Sequence, residues 1–245
     1  EYRSGGSLKD KLEKEGPLPF ERAVEIAGQI ADALDHIHKR ELIHRDVKPG
    51  NILFDEKGNP ALGDLGFGKA LSGATSASLS ASGGLIGTPA YMAPETWMGE
   101  EASSATDVYS LACVFVEMLT GKSLFGGEGD SPPPLVMKRH FDPLELPDQW
   151  PEGVPQGTND VLEKALAKEP GERYGSAKDF IESLEEVSRQ PSAESTQPSA
   201  VSDQPLTDSQ KLPALSEIEG KADRSPPKAE SQKPTAPSPW GHWGT

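Results

Sequence analysis

The sequence predicts an α+β domain that is predominantly α-helical, followed by a stretch that does not pack. Three observations carry this. Apolar residues recur at helical spacing in several separate segments, and only two short apolar runs read as strands. Residues 188–245 are rich in proline and serine and show no repeated apolar spacing. Such a segment buries too little apolar surface to offset its ordering entropy. The expected organisation is a folded domain over residues 1–187 and a disordered Pro/Ser-rich tail over residues 188–245.

Each element has a local reason. Gly5-Gly6 breaks the opening segment, and Ser7 caps a helix running to about Lys14. Ala23, Ile26, Ala27, Ile30, Leu34 and Ile37 form one apolar stripe on a helix from Phe20 to about Lys39. Ile52-Leu53-Phe54 and Ala61-Leu62, separated by Asp55-Glu56-Lys57-Gly58-Asn59, read as a hairpin. Residues 71–84 are almost all Ser, Ala, Gly and Thr, which predicts a mobile loop. Ser104-Ala105-Thr106-Asp107 has a capping-box pattern and opens a helix that stops at Gly121. That helix is apolar on most of its circumference and should run through the middle of the domain. Shorter helices are expected around 135–140, 158–167 and 176–187.

Charge and cysteine usage exclude some functions. The net charge is −15, and nearly all of it lies before Ser188, where 18 Lys/Arg face 32 Asp/Glu. An acidic surface repels phosphate backbones and anionic lipid, so no nucleic acid and no peripheral membrane attachment are expected. The single cysteine, Cys113, fits a reducing, cytoplasmic location. No apolar stretch is long enough to span a bilayer; the best, from Leu111 to Leu119, is interrupted by Glu117. The five histidines and one cysteine have no zinc-ligand spacing. His36 and His38 read as surface or capping groups at a helix end, and Lys138-Arg139-His140 as a solvated basic cluster. The opening at Glu1, without methionine, reads as part of a longer protein.

The chemistry lies in His44-Arg45-Asp46-Val47-Lys48-Pro49-Gly50-Asn51, the hairpin, and then Asp64-Leu65-Gly66. Phosphoryl transfer asks for a carboxylate to orient a hydroxyl, positive charge on the phosphates, and oxygen ligands for magnesium. Asp46, Lys48, Asn51 and Asp64 offer these within twenty residues. A tight loop would bring the first three together, and the hairpin would return Asp64 to them.

These strings resemble the catalytic loop and the magnesium-binding motif of the protein-kinase family. Further matches follow in order: Gly87-Thr88-Pro89, Tyr91-Met92-Ala93-Pro94-Glu95, Asp107-Val108-Tyr109-Ser110-Leu111, and Arg173. The resemblance covers residues 1–187 and implies the C-terminal lobe of a kinase, beginning at the hinge, with the N-terminal lobe absent. Lys48 and Gly87-Thr88 resemble serine/threonine rather than tyrosine kinases. The implied activity is transfer of phosphate from ATP, with Mg2+, to Ser/Thr of a protein substrate.

The resemblance also implies residue roles. Asp46 would orient the acceptor hydroxyl and Lys48 would contact the transferring phosphate. Asn51 and Asp64 would hold magnesium, Leu53 would floor the adenine, and Glu1-Tyr2 would be the hinge beside it. Arg45 would pair with a phosphorylated residue of the activation segment, where Thr75, Ser76 and Ser78 are candidates and Thr88 closes the segment. His44, Leu65, Glu95, Asp107 and Arg173 would be structural: Glu95 pairs with Arg173, and Asp107 accepts backbone hydrogen bonds from the catalytic loop. Leu65 stands where the family usually has Phe, a swap of similar volume.

The Gly-rich phosphate loop, the ATP-anchoring lysine and its partner glutamate have no match in the sequence. The chain alone is therefore expected to be inactive. The alternative is a pseudokinase-like scaffold or interaction module. The style of the motifs resembles bacterial receptor-like kinases, which implies a membrane anchor beyond Thr245 and leaves a homodimer open for the parent protein.

Overall fold

Why Phe20 to His38 forms the first long helix is visible in what it buries. In the computed structural model, which describes residues 4–64, 89–126 and 133–189, its stripe of Phe20, Ala23, Ile26, Ala27, Ile30, Ala31 and Leu34 is buried. We label this helix α2; α1, Leu8–Glu15, precedes it and is capped by Ser7, whose hydroxyl accepts the Asp10 N–H at 3.1 Å. The strands are β1, Ile52–Phe54, and β2, Pro60–Leu62. They pair antiparallel, with Leu53 opposite Ala61. The remaining helices are α3, Pro94–Trp97; α4, Ser104–Thr120; α5, Pro133–Phe141; α6, Thr158–Ala165; and α7, Ala177–Arg189. The described residues are thus mostly helical with one two-stranded sheet.

Helix α4 is the core. From Ala105 to Leu119 every residue but Glu117 is buried. Phe115 meets Phe20 edge-on at 5.8 Å and Phe180 of α7 edge-on at 6.2 Å, so one ring joins three helices. Truncating such a ring to alanine costs about 3–5 kcal/mol. The helix ends at Gly121, whose left-handed backbone (φ 68°) lets its N–H reach the Glu117 carbonyl at 2.8 Å.

Several expectations need adjustment. The N-cap of α4 is Ser103, one residue earlier than the pattern suggested, and its N–H donates to Thr106 Oγ1 at 3.0 Å. Asp107 does not cap, because its carboxylate is turned into the core. Helix α6 stops at Ala165, and α7 starts at Ala177 with Ser176 Oγ accepting the Asp179 N–H, then runs to Arg189. The loop expected over residues 71–84, and all of the tail after Arg189, lie outside the described residues. Among the described residues no helix is long and apolar enough to cross a membrane.

Candidate active site

The site is built outward from Asp107, which is fully buried in the first turn of α4. A carboxylate can only accept hydrogen bonds, and three N–H groups converge on this one. Oδ1 accepts the Arg45 backbone N–H at 2.8 Å; Oδ2 accepts the His44 backbone N–H at 2.8 Å and His38 Nε2–H at 2.7 Å. To present its N–H, Arg45 adopts a left-handed backbone (φ 66°). That conformation costs about 1–3 kcal/mol in a non-glycine residue, and hydrogen bonds to a charged acceptor return about 1.5–3 kcal/mol each.

His44 carries the order one step further. Its ring is buried; Nδ1 accepts the Asp46 N–H at 3.3 Å and Nε2–H donates to the Gly63 carbonyl at 3.0 Å. One tautomer satisfies both bonds, and it ties the 44–51 loop to the residue before Asp64. Asn51 finishes the loop: its Nδ2 donates to the Asp46 carbonyl at 2.8 Å and to Asp46 Oδ2 at 3.0 Å. Lys48 Nζ lies 3.2 Å from the same Oδ2. The side chains of Asp46, Lys48 and Asn51 therefore meet at one point.

The hairpin brings Asp64 back. Its turn is held by Asp55, whose Oδ1 accepts the Lys57 and Asn59 N–H groups at 2.9 Å, with Gly58 at φ 83°. Beyond the Ile52–Leu62 pair, the Gly63 N–H donates to the Asn51 carbonyl at 2.8 Å. Asp64 follows in a left-handed conformation (φ 51°) with an exposed side chain. Asn51 reaches Asp46 through its Nδ2, and its Oδ1 is a hard oxygen donor. A neutral amide oxygen and a carboxylate are ligands that suit magnesium. Among the described residues no three His, Cys, Asp or Glu side chains could hold a metal ion together. An ion here would complete its shell with water and phosphate oxygens, as magnesium commonly does.

Glu95 and Arg173 meet in the core beneath this loop, at 1% and 5% exposure. All five guanidinium N–H groups are used. Nη1 donates to Glu95 Oε1 (2.9 Å) and the Ala105 carbonyl; Nη2 donates to Glu95 Oε2 (2.8 Å) and the Lys168 carbonyl; Nε donates to the Ala167 carbonyl. Burial alone would raise the Glu95 pKa, but the hydrogen bonds and charge of Arg173 outweigh it and hold the carboxyl below its ordinary range. Leu53 points away from the side on which Ile52 and Phe54 are buried and is half-buried. Glu1, Tyr2, Leu65, Thr75, Ser76, Ser78 and Thr88 lie outside the described residues.

Sequence reasoning missed three groups. His38 is not a simple helix-end residue, since it is a third donor to Asp107. Glu117 accepts the Tyr91 hydroxyl at 2.6 Å, and burial raises its pKa despite that bond. An acid inside an otherwise apolar circumference was the available signal. The solvated basic cluster is also corrected: Lys138 is exposed, but His140 is wholly buried.

A buried carboxylate shapes the loop that carries the Asp-Lys-Asn cluster, and a hairpin returns a second Asp after it. The protein kinase domain family matches residues 1–184, and the chain belongs to that family. It is 37% identical over 192 residues to a probable serine/threonine-protein kinase, CPE1738, of Clostridium perfringens, covering 78% of this chain and 27% of that protein. It is 38% identical over 194 residues to serine/threonine-protein kinase PknB of Mycobacterium leprae, covering 78% and 30%. To serine/threonine-protein kinase PrkC of Bacillus subtilis it is 36% identical over 180 residues, covering 74% and 27%. The chain spans less than a third of the length of each of these relatives.

Proposed function

We propose that residues 1–187 are the C-terminal lobe of a protein serine/threonine kinase, which transfers the γ-phosphate of ATP to Ser/Thr hydroxyls of a protein substrate. The observation that carries this is the convergence of Lys48 Nζ and Asn51 Nδ2 on one oxygen of Asp46. Asp46 orients the acceptor hydroxyl and takes its proton. Lys48, placed beside it, neutralises charge on the phosphate that moves between them. Asn51 and Asp64 are the residues that would hold magnesium, which when bound neutralises the phosphates of ATP. Little covalent help is needed, because positioning and electrostatics supply most of this catalysis. Half-buried Leu53, next to the loop in sequence, floors the adenine, and Arg45 answers a phosphorylated residue among Thr75, Ser76 and Ser78.

Residues 188–245 serve as a linker, and a membrane anchor encoded further on rests on the receptor-kinase resemblance. The scaffold alternative has no observation in its favour, since a scaffold has no physical need for the Asp46-Lys48-Asn51 cluster. The test is transfer from labelled ATP to a protein acceptor by the complete gene product, followed by phosphoamino-acid analysis. Label on serine or threonine, abolished by chelating magnesium, is expected; label on neither refutes the reading. Residues 1–245 alone should show no turnover, because they contain no phosphate-covering loop or ATP-anchoring lysine. Measurable transfer by that piece would overturn this part.

A further inference from the structure

His140 stands out among the groups that the proposed chemistry leaves unused. It is a fully buried imidazole at the end of α5. Its Nδ1 lies 2.8 Å from the Tyr109 hydroxyl of α4, and its Nε2 lies 3.0 Å from the Pro89 carbonyl. A carbonyl can only accept, so Nε2 carries the hydrogen and Nδ1 accepts the Tyr109 O–H. The ring packs on Phe125 with centroids 3.9 Å apart, and Lys168 Nζ donates to the His140 backbone carbonyl. Three elements thus fix where this ring sits. Burial pushes its pKa down to about 3, which keeps the ring in the one-donor, one-acceptor form these bonds require.

What the ring holds matters more than how it is held. Pro89 opens the short turn Pro89–Tyr91, where the Met92 N–H also donates to the same Pro89 carbonyl, at 3.2 Å. Tyr91, Met92 and Ala93 then line a small cavity together with Arg45, Asp46 and Lys48. The 89–93 segment therefore borders the space beside the proposed proton acceptor, and its first carbonyl is anchored by His140. Ser110 Oγ anchors the Tyr91 carbonyl at 2.7 Å, so α4 and α5 grip alternate carbonyls of the same turn.

We propose that His140 is a positioning residue for the protein acceptor: by holding the Pro89 carbonyl it fixes the 89–93 wall that the acceptor chain lies against, while the nucleotide side of the site does not depend on it. This rests on the kinase reading. The acceptor enters where Tyr91, Met92 and Ala93 face Asp46. The proposed nucleotide and metal groups, Asn51 and Asp64, follow instead from the loop held by His44 and from β1, with no hydrogen bond to α5 among the described residues.

The test uses the complete gene product with myelin basic protein as acceptor. His140→Phe keeps an aromatic ring against Phe125 and loses both hydrogen bonds. Its KM for the acceptor should rise about tenfold, the scale of one structural hydrogen bond. Its KM for ATP and its acceptor-free ATP hydrolysis should stay within about twofold. Amide exchange should quicken at residues 90–93 and nowhere in β1 or the catalytic loop. His140→Gln, whose amide reaches Pro89, should restore both readouts, whereas His140→Asn, too short to reach, should not. Should the phenylalanine variant not fold, the Gln and Asn pair decides alone.

An unchanged acceptor KM, a parallel fall in transfer and acceptor-free hydrolysis, or equal behaviour of Gln and Asn overturns the proposal. A wild-type protein that phosphorylates no acceptor refutes the kinase reading instead. The exchange rates of residues 90–93 then still show whether His140 holds that wall.

Discussion

Replacing Arg173 by methionine tests the heart of the packing. The substitution keeps an unbranched side chain and removes the guanidinium. Glu95 loses both arginine bonds and keeps the Thr106 hydroxyl at 2.8 Å, while the carbonyls of Ala105, Ala167 and Lys168 each lose a donor. Glu95 is 1% exposed, so water does not substitute. Breaking a buried pair on one side costs about 3–5 kcal/mol. For a folded unit of this size that lowers Tm by about 6–20 °C.

The pH dependence gives the sign. In the wild type the Glu95 pKa is held below its ordinary 4.5, so its contribution is present above that pH and is lost as pH falls through the folded value. Without Arg173, burial, the largest influence and the one that raises the pKa, is opposed only by the weaker Thr106 and backbone hydrogen bonds, so the lost stability should be largest near neutrality and shrink on acidification. Guanidinium chloride titrations of both proteins across this range are the assay. A loss below about 1 kcal/mol, the scale of an exposed pair, or a deficit that does not change with pH, would refute the reasoning.

Other perturbations follow from the same contacts. Asp107→Asn keeps the shape but replaces an acceptor oxygen by a donor, facing the N–H groups of His38, His44 and Arg45. It should cost about 1–3 kcal/mol for each donor left unsatisfied, seen in denaturant titration, and should depress kcat through the displaced loop. Gly121→Ala forces a side chain into a left-handed backbone whose Cβ lies 3.4 Å from Pro17 Cδ. It should destabilise by about 1 kcal/mol or more, read as a lower denaturant midpoint with an unchanged slope.

The sequence made some of this legible and hid the rest for physical reasons. Asp46, Lys48 and Asn51 meet because one short loop carries all three, and local chain geometry is what a linear string records. The hairpin was equally plain, since Asp55, Gly58 and Asn59 announce their turn. The role of Asp107 was legible only through the family resemblance, because by itself an Asp in a first helical turn reads as dipole or capping chemistry. Only the tertiary fold turns it 62 to 69 residues back along the chain, towards His38, His44 and Arg45. His140 misled for a similar reason: in a basic string its composition looks solvated, yet helical spacing puts it on the face opposite Lys138, against Tyr109 and Phe125.

The most direct measurement is transfer of labelled γ-phosphate to a protein acceptor by the complete gene product, set against its Asp46→Asn variant. Removing the proton acceptor while keeping a group of the same shape should slow transfer by at least about 10²-fold, the usual scale for a positioned general base, with ATP still bound. A variant that transfers phosphate at nearly the wild-type rate would contradict the role given to the carboxylate on which Lys48 and Asn51 converge.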